Sequence, residues 1–156
     1  MADIQNASLT IEDVPGNSAI ARVTVRYTVF QFPPEFWANT LYEEDIRLIG
    51  DDFPFNPSAP SGTDITIAVF PPLSVRNPHG GILPPPPPRF FFDRQRVLYV
   101  AKDALNEDPG FNALGLPLQD EVFALISLRY IANVPFPFQL GTIAATAQTN
   151  LVTGRW

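Results

Sequence analysis

Apolar and polar residues alternate along 19–30, with Ala19, Ala21, Val23, Val25, Tyr27 and Val29 on one side and Arg22, Thr24, Arg26 and Thr28 on the other. A period of two is the pattern of a strand with one face in a core and the other toward solvent. The same criterion predicts six further strands, at about 6–12, 41–49, 64–70, 90–102, 121–132 and 138–147. The segment 121–132 is apolar on both faces, Val122, Ala124, Ile126 and Leu128 standing against Phe123, Leu125 and Ile131. A central place in a sheet or a contact with another molecule would each explain that. Eighteen prolines leave little room for helix, and the one helical candidate is a single turn at Pro34–Ala38 with proline near its start. Seven strands separated by turn residues predict an all-β chain folded as a single-domain antiparallel β-sandwich, of immunoglobulin-like or jelly-roll kind.

Composition sharpens this picture. A chain of 156 residues suffices for one core and is short for two ordinary domains. Only 17% of residues are charged, against roughly 25% in an average soluble domain, so solubilising charge is scarce and either the core is large or some surface is covered in use. The ten basic residues are nine arginines and Lys102. Arginine is enriched and lysine depleted at interfaces, which favours assembly. The net charge of −6 and the lack of a concentrated basic run argue against nucleic acid or an anionic membrane as the main partner. Without cysteine there is no disulfide framework, thiolate metal site or thiol nucleophile. No apolar run reaches membrane-spanning length and the opening Met-Ala-Asp-Ile-Gln lacks signal-peptide character, so the expectation is a soluble chain without membrane insertion. An extracellular setting, or a surface or virion assembly, fits that expectation.

If consecutive strands run in alternating directions, the connections sort into two ends. One end collects Glu12, Asp13, Asp51, Asp52, Asp64, Asp103, Glu107, Asp108, Asp120 and Glu121 with Lys102 as its only base. The other collects Pro33, Pro34, Phe36, Trp37, His79, the proline run 84–88, Pro135, Phe136 and Pro137. The acidic end suggests a Ca²⁺ site, because that ion takes six to eight oxygen ligands and loops far apart in sequence can supply them. Asp51, Asp52, Asp103, Asp108 and Asp120 are the candidate ligands; the competing reading is that these acids terminate strands and solvate turns. The aromatic end suggests a recognition surface built on Phe36, Trp37 and Phe136, or rings that fold inward to plug the core. Phe91 joins the surface set, since Phe90, Phe91 and Phe92 cannot all point into one core.

Catalysis has weak support. A nucleophilic triad would need the only histidine, His79, and the chain has no G-x-S-x-G elbow. His79-Gly80-Gly81 is similar to the glycine-rich oxyanion loop of some esterases, on three residues alone. One histidine cannot form a histidine metal cluster, and no acid pair stands out as a glycosidase pair. The expectation is a non-enzymatic, self-associating structural subunit of a filament, coat or other multimer. Segments 1–5 and 148–156 are available to reach a neighbour. The second expectation is a ligand-binding module, with Trp37 and its neighbours stacking on carbohydrate.

Overall fold

The computed structural model describes residues 1–50, 65–81, 89–106, 114 and 120–156. Among them are nine strands and two short helical turns: β1 (Asp3–Val14), β2 (Asn17–Phe30), α1 (Pro33–Trp37), β3 (Leu41–Gly50), β4 (Ile65–Val69), β5 (Leu73–Val75), β6 (Phe91–Ala101), α2 (Lys102–Leu105), β7 (Asp120–Ala132), β8 (Ile143–Gln148) and β9 (Val152–Gly154). One sheet has the order β1-β2-β6 and the other β4-β3-β7-β8, with β5 also on β3 and β9 also on β7; every pairing is antiparallel. The two sheets enclose a common core and form a β-sandwich.

Two strands beyond the expected seven, β5 and β9, stand among the described residues. Pro71 and Pro72 have no N–H to donate, so the strand beside β3 breaks there into β4 and β5. The strand beside β7 breaks at 149–151, where Thr149 accepts from the Ala124 amide through its hydroxyl at 2.9 Å and donates its own amide to the Ala124 carbonyl at 3.0 Å. The strand expected at 138–147 starts later, at Ile143. Residues 138–142 instead form a tight turn in which the Phe138 amide donates to the Pro135 carbonyl and the Gly141 amide, at a φ of +80°, to that of Tyr130.

The alternation in β2 is used as expected over its central residues: Ala21, Val23, Val25, Tyr27 and Val29 are buried, whereas Ala19 is exposed near the start of the strand. Across from them, Tyr42, Ile46 and Leu48 of β3 and Val122, Ala124, Ile126, Leu128 and Tyr130 of β7 complete the core. Each large side chain so buried is worth roughly 1.5–3 kcal/mol against exposure. On the outer side of β7, Phe123 is buried beside its cross-strand partner Ile49, while Leu125 is exposed. The segments 1–5 and 148–156 make contacts within their own chain: Ala2 and Ile4 are buried, β1 begins at Asp3, and β9 pairs with Asp120–Val122.

Both edges of the three-stranded sheet carry features that discourage a further strand. At β1, the Asn150 side chain accepts from the Leu9 amide at 2.8 Å and donates to the Leu9 carbonyl at 3.3 Å, as a paired strand would. At β6, Arg94 and Arg96 point inward, and Arg96 reaches the Pro71 carbonyl of the other sheet at 2.7 Å. Inward charges on an edge strand discourage another chain from adding to the sheet.

Candidate functional site

The connections β2–β3, β5–β6 and β7–β8 meet at one end of the sandwich, built around α1. Two prolines at its first positions preset the backbone for a helical turn. Asn39, with a φ of 51°, ends it. The Gly81 amide donates to the Phe36 carbonyl at 2.9 Å, which docks the 76–81 loop on α1. The Thr40 hydroxyl donates to the Asn133 carbonyl at 2.8 Å and the Asn133 amide to the Asn39 carbonyl at 3.2 Å, which docks the β7–β8 connection. At Gly80 a Cβ would lie 2.8 Å from Asn39 Oδ1 and 3.2 Å from the Asn77 carbonyl, so the loop packs closely there, and Gly81 has a φ of +73° that favours glycine. Both glycine amides already donate to carbonyls, Gly80 to that of Asn77 and Gly81 to that of Phe36. His79-Gly80-Gly81 is therefore a docking loop with no amide left to face an oxyanion.

A buried carboxylate holds this end together. Glu35 Oε1 accepts from the Ala2 amide at 2.9 Å and from the Tyr130 hydroxyl, and Oε2 from the Phe32 amide at 2.9 Å. Burial, and then the adjacent Glu35, push the Tyr130 hydroxyl upward from its ordinary pKa. Tyr42 is also raised, chiefly by burial and against the hydrogen bond it receives from Gln31.

The sequence-nominated aromatics divide on this scaffold. Phe36 is 1% exposed and packs edge-on against Trp37 and Phe90, so it plugs the core and cannot be presented to a partner. Trp37 is exposed, Phe91 is exposed on the outer face beside Phe30, and Phe136 is 95% exposed. Phe32 and Leu140, not nominated from the sequence, are exposed at the same end. Phe92 points inward, as the argument about three consecutive phenylalanines requires.

Beside this end lies a pocket of about 310 Å³ lined by Arg76, Pro78, His79, Arg89, Phe91, Phe92, Asp93 and Arg94. Among the described residues that line it there is no serine, threonine or cysteine. Asn77 shapes its rim: the side-chain amide donates to the Arg89 carbonyl at 2.8 Å and the side-chain oxygen accepts from the His79 amide at 2.9 Å. Behind it sits a second buried carboxylate. Glu44 of β3 accepts from the Tyr27 hydroxyl, from Arg94 Nε at 3.2 Å and from the Arg96 guanidinium. Burial pushes the Tyr27 hydroxyl up to about 12, with Arg94 and Arg96 pulling the other way. Two guanidinium groups on one carboxylate leave one positive charge over, and Arg94 carries it to the pocket wall. Sequence reasoning passed over this cluster, although Arg94 and Arg96 share strand parity with Phe92, Leu98 and Val100, and Glu44 with Tyr42 and Ile46.

No family model, curated protein or solved structure matches this chain. The site must be argued from its own geometry.

At the opposite end, Asp103 is exposed on α2 and Asp120 is buried at the start of β7, while Asp13 pairs with Lys102 at 2.5 Å. Among the described residues no group of three or more His, Asp or Glu side chains comes together. Asp51, Asp52 and Asp108 lie outside the described residues. Among the described residues no helix is long and apolar enough to cross a membrane.

Proposed function

We propose that this protein is a non-catalytic interaction protein, a self-associating β-sandwich subunit whose contact surface is the end that carries α1. The observation that carries the reading is the rigidity of that end combined with what it exposes. Backbone and side-chain hydrogen bonds tie its three connections to one another, yet Phe32, Trp37, Phe136 and Leu140 stand in solvent. Pre-positioned rings lose little freedom when they are covered, and large aromatic residues are the usual anchors of interfaces. The guarded edges of the β1-β2-β6 sheet favour contact through an end over strand addition to that sheet. The order of strand positions supports an immunoglobulin-like sandwich over a jelly roll: first, second and fifth share one sheet and third, sixth and seventh the other, although the fourth stands beside the third and not, as in a constant-type immunoglobulin domain, with the first group. Light scattering coupled to size-exclusion chromatography across micromolar concentrations tests the proposal. Mass rising with concentration, and falling back in Phe136→Asp, is the expected result; a strictly monomeric species at every concentration removes it.

The exposure of Trp37 also supports a second reading, in which its ring, braced edge-on by Phe36, stacks on a sugar. Trp37→Ala would then abolish glycan binding with little change in melting temperature. Unfolding in that variant would make Trp37 a structural residue and end the carbohydrate reading.

A further inference from the structure

We propose that the pocket between the 76–81 loop and β6 binds a small organic oxyanion, a carboxylate or phosphate group borne on a compact ring. The chain has a net charge of −6, yet three of its nine arginines and its only histidine line this one pocket. Arg76 and Arg89 form no ion pair among the described residues. Arg94 brings the positive charge left over from the Glu44 cluster. Guanidinium groups match carboxylate and phosphate oxygens in a two-point fork, which makes such an anion the complementary ligand.

The rest of the lining says what the anion is attached to. Phe91 offers an exposed apolar wall for a ring face. Asp93, whose Oδ1 accepts from the Thr28 hydroxyl at 2.7 Å, repels a bare anion but can accept from a ring hydroxyl. A volume of about 310 Å³ lies at the low end of ligand pockets, so the group is small. The backbone at the rim is held without the arginine side chains, because the Asn77 side chain bonds the Arg89 carbonyl and the His79 amide. Replacing those side chains therefore tests binding without dismantling the site.

Isothermal titration calorimetry with glucuronate, glucose 6-phosphate, inorganic phosphate and neutral glucose is the experiment. The two ring-bearing anions bind, the tighter of them identifying carboxylate or phosphate as the preferred group, and glucose gives no heat. Combined Arg76→Ala and Arg89→Ala weakens binding by about tenfold or more, as expected for the loss of charge-assisted hydrogen bonds, at unchanged melting temperature. Arg47→Ala, on the other sheet and paired with Asp45, leaves it unchanged. Absence of binding by both ring-bearing anions overturns the proposal, as do equal binding of glucose, equal binding of bare phosphate, or a double variant that binds like the parent.

Discussion

Glu44 and Glu35 are both buried in the sandwich, and they are satisfied in opposite ways. Glu44 sits between two arginines and a tyrosine, so its cluster carries a surplus of positive charge. Glu35 has no cation beside it among the described residues and is held by two backbone amides and a tyrosine hydroxyl. The first arrangement ties one sheet to the other beside the pocket. The second ties the start of β1, the entry to α1 and β7 into one end. Each region proposed to meet a partner thus rests on its own buried acid, one balanced by charge and the other by neutral donors.

Removing the charge from each should separate them. Glu44→Gln strands two guanidinium groups that are largely out of water, and a cost of about 3–5 kcal/mol is expected from denaturant unfolding. Replacing Glu44, Arg94 and Arg96 together by Met should recover much of that loss, since a buried ion cluster is often no better than apolar packing of similar volume. If the triple variant is as unstable as the single one, the cluster's value does not lie in its charges. Glu35→Gln keeps one acceptor oxygen and strands a single neutral donor, and about 1–3 kcal/mol is expected, with faster hydrogen exchange at Ala2 or Phe32. A loss equal to that of Glu44→Gln would erase the distinction between the two acids.

The tyrosines beside the two acids give a pH test. Tyr27, held at about 12 mainly by burial, keeps its proton in the folded chain after it is lost from the unfolded chain near 10. The stability this contributes is complete below about pH 10 and is lost as pH rises toward 12. Tyr42 and Tyr130 are raised for the same leading reason. Absorbance at 295 nm should therefore show these three ionising well above the range seen in denaturant, with unfolding following. Titration of these three tyrosines near pH 10 in the native chain would contradict the burial on which this rests.

The smallest effect on stability belongs to the exposed end. Phe136→Asp should change the unfolding free energy by no more than about 0.5 kcal/mol, as surface substitutions do, while shifting self-association. A large loss of stability would mean that Phe136 is a packing residue.

Much of the fold could be read from period-two patterning where that patterning is uniform. β2, β3 and β7 were placed within about two residues at each end, a margin usual for strand boundaries. β1 was placed at 6–12 and runs from Asp3 to Val14, because Asn6 adopts a φ of 54° at a register shift between Gln5 and Ser8. Ile4 and Leu9 are both buried although they differ in parity, so alternation fails across the bulge. β5 and β9, at three residues each, are too short for any pattern. The division of the connections between two ends followed from antiparallel order alone, whereas whether Phe36 or Trp37 faced outward depends on how α1 packs. The pocket was harder still: Arg76 and Arg89 are far apart in the sequence, and nothing local reports that they line one pocket.

The Asn150 side chain, bonded to both backbone groups of Leu9, joins residues 141 positions apart. Closing so long a loop has an entropic cost, and a contact whose closure waits on the strands between its ends adds its stabilisation after the folding barrier. Asn150→Ala is then expected to speed unfolding and to leave the folding rate unchanged, so that the clasp would be felt in how long the folded state lasts.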